Sequence, residues 1–280
     1  MLFDTHCHIQ FSAFRDDADE VIKKCIEKGV VLNVVGSQKD TSERAIKYAE
    51  KYDNIYATVG LHPIHLFSTE VDEEEIKFKT REENFNYEFY KNLAWHPKTI
   101  GIGECGLELY HLPEGIDKKN YLNRQKEVFI TQYRLAKEMD LPIVIHTRDA
   151  HPEMIELLNS FNEKINGVVH CYAGNWEYAQ KYLALGLNIG FTGVITFPPK
   201  KLEPQTQIDL LEVVKKCPLD KILIETDAPY LAPQIYRGKK CEPWMVEEVA
   251  KKIAEIKEMN VAEISEKTYN NAKKLFFKVK

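Results

Sequence analysis

The first residues with chemistry in them are Asp4-Thr5-His6-Cys7-His8. Alternate residues of a strand point to the same side. His6 and His8 therefore project together, spaced to share one metal ion. Imidazole suits zinc, manganese, iron or nickel. Taken alone, a His-x-His pair is a weak signal, because strands often carry two histidines with no metal. Four later apolar runs strengthen it. Ile102-Gly103-Glu104, Pro142 to His146, Gly167-Val168-Val169-His170 and Ile222 to Asp227 each finish in a histidine or a carboxylate. Buried ionisable groups are rare unless paired or metal-bound. A set of strands that all end this way points to a cation site of mixed imidazole and carboxylate.

The elements that must position these groups follow from the pattern around them. Apolar runs at 2–8, 30–36, 55–60, 99–104, 142–146, 167–171, 186–191 and 221–226 read as strands. Amphipathic patterns near 16–28, 41–52, 84–95, 118–139, 150–163, 175–184 and 204–216 read as helices, with two more near 242–258 and 261–277. This alternation predicts an α/β protein of the TIM-type (β/α)8 barrel class, a single domain over 1–280 with extra C-terminal helices. Barrel enzymes carry catalytic residues at the C-terminal ends of their strands, where the histidines and carboxylates fall. An open doubly wound sheet fits less well, because no glycine-rich phosphate loop follows the first strand. Residues 64–83 break the rhythm with a long charged segment that includes Asp72-Glu73-Glu74-Glu75. It reads as a solvated insertion, or as a lid, since loops after barrel strands lie on the active-site face.

Composition narrows the function classes. The chain has 280 residues and a formal net charge of −5, from 38 Lys and Arg against 43 Asp and Glu. A general affinity for nucleic acid is not written into such a surface, so attraction for an anionic substrate must be local. No apolar stretch is long enough to span a membrane, and no basic-then-apolar leader opens the chain. The six cysteines are scattered with no CxxC pair, which suggests neither a disulfide framework nor a cysteine-zinc site. The expected compartment is a reducing cytoplasm, and no obligate protein partner is evident.

The motifs together resemble the TatD family of metal-dependent deoxyribonucleases, within the wider amidohydrolase-like barrels. The matching segments are Phe3 to His8, Val59-Gly60-Leu61-His62-Pro63, Ile102 to Leu107, Pro142 to Arg148 and Val169-His170-Cys171-Tyr172. Glu225 to Leu231 and Tyr236-Arg237-Gly238-Lys239-Lys240 complete the series, in the family's order. The resemblance implies two divalent cations (zinc, magnesium or manganese). His6, His8 and Asp227 would hold the first, His146 and His170 the second, and Glu104 would bridge them. It also implies DNA as substrate, as single strands or strand ends, with Glu104 and Asp227 as the catalytic carboxylates. Asp227 would orient the water or take its proton. The chain departs from the family at Glu108, usually Asp, and at Cys241, usually Asn. Both departures bear on substrate fit more than on metal binding. The stretch from His62 to Glu104 is also longer than usual.

Other residues carry weaker expectations. Strand parity turns Asp4 and Glu225 inward, where either can accept the outer N–H of a ligand histidine. Cys7, Cys105 and Cys171 each follow a ligand directly, so parity points them toward the helix layer as small core residues. His62 is placed to reach the substrate, whereas His65, His96, His111 and His151 read as surface or packing residues. Arg148, two residues beyond His146, can pair with a phosphate. Arg237, Lys239 and Lys240 can hold the nucleic acid backbone further out, or form an ordinary solvated turn. A carboxylic ester or amide hydrolase, such as a D-aminoacyl-tRNA deacylase, is the alternative reading. A non-catalytic binding protein on the same fold is a third, against which the intact ligand set argues.

Overall fold

Strands β1 (Leu2–Cys7), β2 (Val30–Val35) and β3 (Ile55–Val59) are almost wholly buried, and β2 and β3 are largely apolar, as expected of a parallel sheet covered on both faces. The structure is a computed structural model that describes residues 1–68, 70–72 and 77–277. The chain continues through a short antiparallel pair, β4 (Glu70–Asp72) and β5 (Lys77–Lys79), then β6 (Thr99–Glu108) and β7 (Ile143–Arg148). The last three strands are β8 (Gly167–Val169), β9 (Asn188–Phe191) and β10 (Ile222–Ile224). All but β4 and β5 form one parallel sheet in the order β1-β2-β3-β6-β7-β8-β9-β10. The seam between β10 and β1 closes through a bridge between Cys7 and Ala228. Backbone bonds from Asp227 N to His6 O (2.8 Å) and from His8 N to Ala228 O (2.7 Å) complete it. The expected TIM-type barrel is therefore what the chain forms.

Helices α1 (Ala18–Glu27), α2 (Lys39–Lys51), α3 (Tyr87–Ala94), α4 (Lys118–Met139), α5 (His151–Asn159), α6 (Trp176–Ala184) and α7 (Pro204–Lys216) run between the strands. They are followed by α8 (Val246–Lys257) and α9 (Val261–Phe276). Helix α9 shows why the extra helices exist. Its buried residues Ile264, Thr268, Ala272 and Leu275 recur at helical spacing. Asn260 caps it by accepting the N–H of Ala262 at 2.8 Å. Ala272, Leu275 and Phe276 pack on Phe3, Ile100, Val144, Val168 and Leu223, which come from the strands. Two residues after Val144, Val168 and Leu223 in the chain stand His146, His170 and Glu225. The apolar layer thus forms a floor under the polar layer, and α9 seals it.

Several boundaries differ from the sequence expectation, and the differences place functional groups. Strand β6 continues past Glu104 to Glu108. Continuation is possible because Gly106 lies against β7, where a Cβ would sit 1.8 Å from the His146 carbonyl oxygen. Strands β8 and β10 stop short, leaving His170 and Asp227 just beyond the ladder. The segment expected as a solvated loop at 64–83 contains the β4–β5 hairpin. Its base is tied down: Thr80 donates to Phe67 O at 2.7 Å, Gln38 to Arg81 O at 2.9 Å, and His65 O accepts from Glu83 N. Most of its acidic run, from Glu73 to Glu75, lies outside the described residues.

Candidate metal centre

Strand parity alone does not bring the histidines together. Residues Asp4 to Cys7 of β1 oppose only Leu32 to Val34 of β2, so one extra residue sits in β1. Such a bulge resets which side chains face in. Of the two carboxylates expected to serve a histidine, Glu225 faces His170, and Asp4 bonds Thr226 instead. It accepts from the Thr226 amide (2.9 Å) and hydroxyl (2.6 Å), locking the end of β10 to β1. Burial raises the Asp4 carboxyl well above its ordinary range, against the opposing Thr226 hydrogen bonds. A similar one-residue excess between Ile102 and Cys105 lies opposite β7 and contains Glu104. Gly103, with φ +142°, supplies the backbone that a side chain rarely allows.

The six expected ligands converge. His6 Nε2 and His8 Nε2 are 3.2 Å apart, and Asp227 Oδ1 lies 3.8 and 3.3 Å from them. Glu104 stands between this group and the next. Its Oε2 is 3.3 Å from His6 Nε2, while its Oε1 is 2.9 Å from His146 Nδ1 and 3.4 Å from His170 Nε2. His62 joins from the end of β3, with Nε2 3.6 Å from Glu104 Oε1. The donor atoms form compact groups: His6, His8 and Asp227; His6, Glu104 and His170; His62, Glu104 and His146. A fourth, His170, Cys171 and Asp227, includes a residue that parity had turned away. Cys171 adopts a left-handed conformation (φ +43°) just past β8, so strand alternation no longer governs it. Cys7 and Cys105 do lie buried in the apolar core.

The outer nitrogens of the rings test whether this set fits cations. His8 Nδ1 faces the Val35 carbonyl at 2.7 Å. His170 Nδ1 faces Glu225 Oε1 at 3.0 Å, and His146 Nε2 faces Glu108 Oε2 at 3.2 Å. A neutral ring that gives its proton to that acceptor keeps a bare lone pair aimed inward. The inward nitrogens then face Glu104 and Asp227, also acceptors. Lone pair against lone pair is repulsive, and divalent cations resolve it. Glu225 can serve His170 because Gly190 makes room, where a Cβ would meet Glu225 Oε2 at 2.6 Å.

Electrostatics agree. Burial would raise the Glu104 carboxyl, yet His170, His62, His6 and His146 hold it well below the carboxylate range. Burial opposes charge on His146 and His170. Even so, Glu104 and Glu108 push His146 up to about 9, and Glu225 and Glu104 push His170 up to about 10. Without metal, protons take the cations' place. Both folded values lie above the unfolded one of about 6.5. The stabilisation from these protons is complete below that pH and disappears as pH rises through 9 to 10. At pH 7, metal binding is expected to expel protons. Titration calorimetry in two buffers of different ionisation enthalpy measures this, and zero release would show that His146 and His170 are already neutral in the metal-free protein.

The departures from the resemblance are placed differently from each other. Cys241 is a core residue whose N–H bonds Pro229 O at 3.0 Å. Glu108 bears on the metal side after all. It accepts backbone N–H groups from Tyr110 (2.6 Å) and His111 (3.2 Å) while facing His146. Glu108→Gln is expected to weaken metal binding on the His146 side about 10-fold or more, the usual scale for groups that orient a ligand histidine. Metal titration checks this; unchanged affinity removes Glu108 from this role.

The expected substrate contacts are dispersed. Arg148 lies 3.8 Å over the Tyr110 ring and Arg237 4.6 Å over Phe197. Lys240 is not a free backbone contact, because Asp17 binds it at 2.7 Å and joins the loops after β1 and β10. Of the remaining histidines, His65 is buried, His96 pairs with Glu50, His111 lies against Glu108, and His151 packs on Tyr182.

A family model described as TatD related DNase matches residues 3–277. The chain belongs to this family. TatD relatives span it from end to end. It is 40% identical over 278 residues to the "uncharacterized metal-dependent hydrolase YabD" of Bacillus subtilis, covering 99% of each chain. It is 32% identical over 285 residues to the "3'-5' ssDNA/RNA exonuclease TatD" of Cronobacter sakazakii, covering 99% of this chain and 98% of that one. Among solved structures, the TatD homologue YJJV of Escherichia coli superposes with a TM-score of 0.82 at 28% identity, covering 98% and 97%. The protein is thus a TatD-family metal-dependent hydrolase with a cluster of histidine and carboxylate donors. Among the described residues no helix is long and apolar enough to cross a membrane.

Proposed function

We propose that the protein hydrolyses phosphodiester bonds of DNA, acting on single strands or strand ends with two divalent cations. The observation that carries this reading is the two-sided placement of Glu104, one oxygen toward His6 and the other toward His146 and His170. A single carboxylate so placed suits a bridged pair of ions, with His6, His8 and Asp227 on one and His146 and His170 on the other. Zinc, magnesium and manganese all accept such ligands. The pair, when bound, supplies an ionised water near neutral pH and stabilises the attacking and leaving oxygens of an in-line displacement. Asp227 receives the proton of the attacking water, and Glu104 stays ionised throughout. Arg148, held flat by Tyr110, offers its guanidinium to a phosphate, and Arg237 extends that contact outward. Relatives named as ssDNA/RNA exonucleases support a nucleic acid substrate.

The deciding experiment compares metal-supplemented turnover of single-stranded DNA, duplex DNA, RNA and aminoacyl ester substrates side by side. Cleavage of single-stranded DNA ahead of duplex is the expected result. Turnover of the esters alone makes the protein a carboxylic ester hydrolase on the same site. No turnover of any substrate by metal-loaded protein supports a binding role.

A further inference from the structure

We propose that His62 is a fixed hydrogen-bond donor to a phosphoryl oxygen of the substrate and not a ligand of either cation. The proposal rests on the phosphodiesterase reading above. By proximity alone His62 looks like a ligand. Its Nε2 lies 3.6 Å from Glu104 Oε1, its ring centroid is 4.2 Å from that of His146, and its donor atom groups with theirs.

The other ring nitrogen decides the matter. His62 Nδ1 accepts the backbone N–H of Ile64 at 3.1 Å. Accepting requires a lone pair, so Nδ1 carries no proton. A neutral imidazole then has its proton on Nε2. That nitrogen presents an N–H to the cluster and has no lone pair for a cation. His8 is wired the opposite way. Its outer nitrogen faces a carbonyl, so its lone pair points inward.

The backbone makes this orientation durable. His62 precedes a short 3-10 turn, Pro63–Leu66. Pro63 has no N–H, so Ile64 offers the first donor for the side chain to cap. His62 N bonds Ser37 O at 2.9 Å, which anchors the residue from β2's side. At 3.6 Å the Nε2–H is beyond hydrogen-bond length from Glu104, so the carboxylate does not consume it. The donor is left for an oxygen of a substrate phosphate on the His146 side. A neutral imidazole gives a hydrogen bond to developing negative charge without transferring its proton, a role known for histidines with lowered pKa.

Two near-isosteric variants test this. In His62→Gln the amide nitrogen can take the place of Nε2; in His62→Asn it can take only that of Nδ1. Three quantities are read on metal-loaded protein: bound metal per chain, affinity for inorganic phosphate, and turnover of bis(4-nitrophenyl) phosphate. Both variants are expected to keep wild-type metal content. His62→Asn should lose about 10²–10³-fold in turnover, the scale of one such donor, and bind phosphate more weakly. His62→Gln should stay within roughly 10-fold of wild type in turnover, because a donor remains. Loss of an ion from either variant makes His62 a ligand and overturns the proposal. So does equal behaviour of the two variants, or wild-type phosphate binding in His62→Asn. A wild-type protein that cleaves no phosphodiester overturns the phosphodiesterase reading instead, and the metal content and phosphate affinity still decide the role of His62.

Discussion

Glu104→Gln is expected to reduce turnover by about 10³-fold or more, the upper range for removing a positioned charged group, with the barrel intact. The substitution is nearly isosteric, so the surrounding packing is kept. What changes is charge. Glu104 is 4% exposed and ringed by His6, His62, His146 and His170. An amide is neutral, and its NH2 side offers no lone pair to a cation. It can no longer serve both groups of ligands. Metal analysis should find one ion or fewer per chain, with melting behaviour close to that of metal-free wild type. Near-normal turnover with two ions bound would show that Glu104 does not bridge.

How far the site was legible in the sequence depends on which residue is considered. The residues that cluster were readable, His6 and His8 from their spacing and the others because each ends a strand-like run and barrel strands end at the active face. The eight-strand barrel was readable for the same reason. Asp4 and Cys171 were misplaced because alternation was assumed where the chain departs from it, at a bulge in β1 and at a left-handed residue after β8. Neither feature has a signature in Asp4-Thr5-His6 or His170-Cys171-Tyr172. Glu108 was recognised as unusual but assigned to substrate fit. Only the extension of β6 past Gly106 shows that it reaches His146. Lys240 illustrates a general difficulty: a basic turn reads as a phosphate contact until its partner is seen, and Asp17 lies 223 residues away in the chain. The direction of the His62 ring is a property of one backbone N–H and cannot be read from Leu61-His62-Pro63.

Asp227→Asn should separate metal holding from proton transfer. Asp227 sits at the closing seam of the barrel, its N–H bonded to His6 O at 2.8 Å and its backbone left-handed at φ +61°. Asparagine tolerates that conformation nearly as well as aspartate, so the seam should survive. The amide oxygen can still face His8, which lies 3.3 Å from Oδ1. The lost property is the ability to take a proton. The Asp227 side chain is 17% exposed, more open than those of His6, His8, Glu104 or His170, so it is well placed to meet an incoming water. Burial would raise its carboxyl, but the neighbouring histidines His8, His170 and His6 hold it low and ionised. At saturating metal, the variant should lose about 10²–10⁴-fold in rate, the range for a positioned general base. His170→Asn, measured under the same conditions, should lose less, because excess metal compensates for a weakened ligand and not for a missing base. Equal losses in the two variants would take the proton-transfer role away from Asp227 and leave it as a ligand alone.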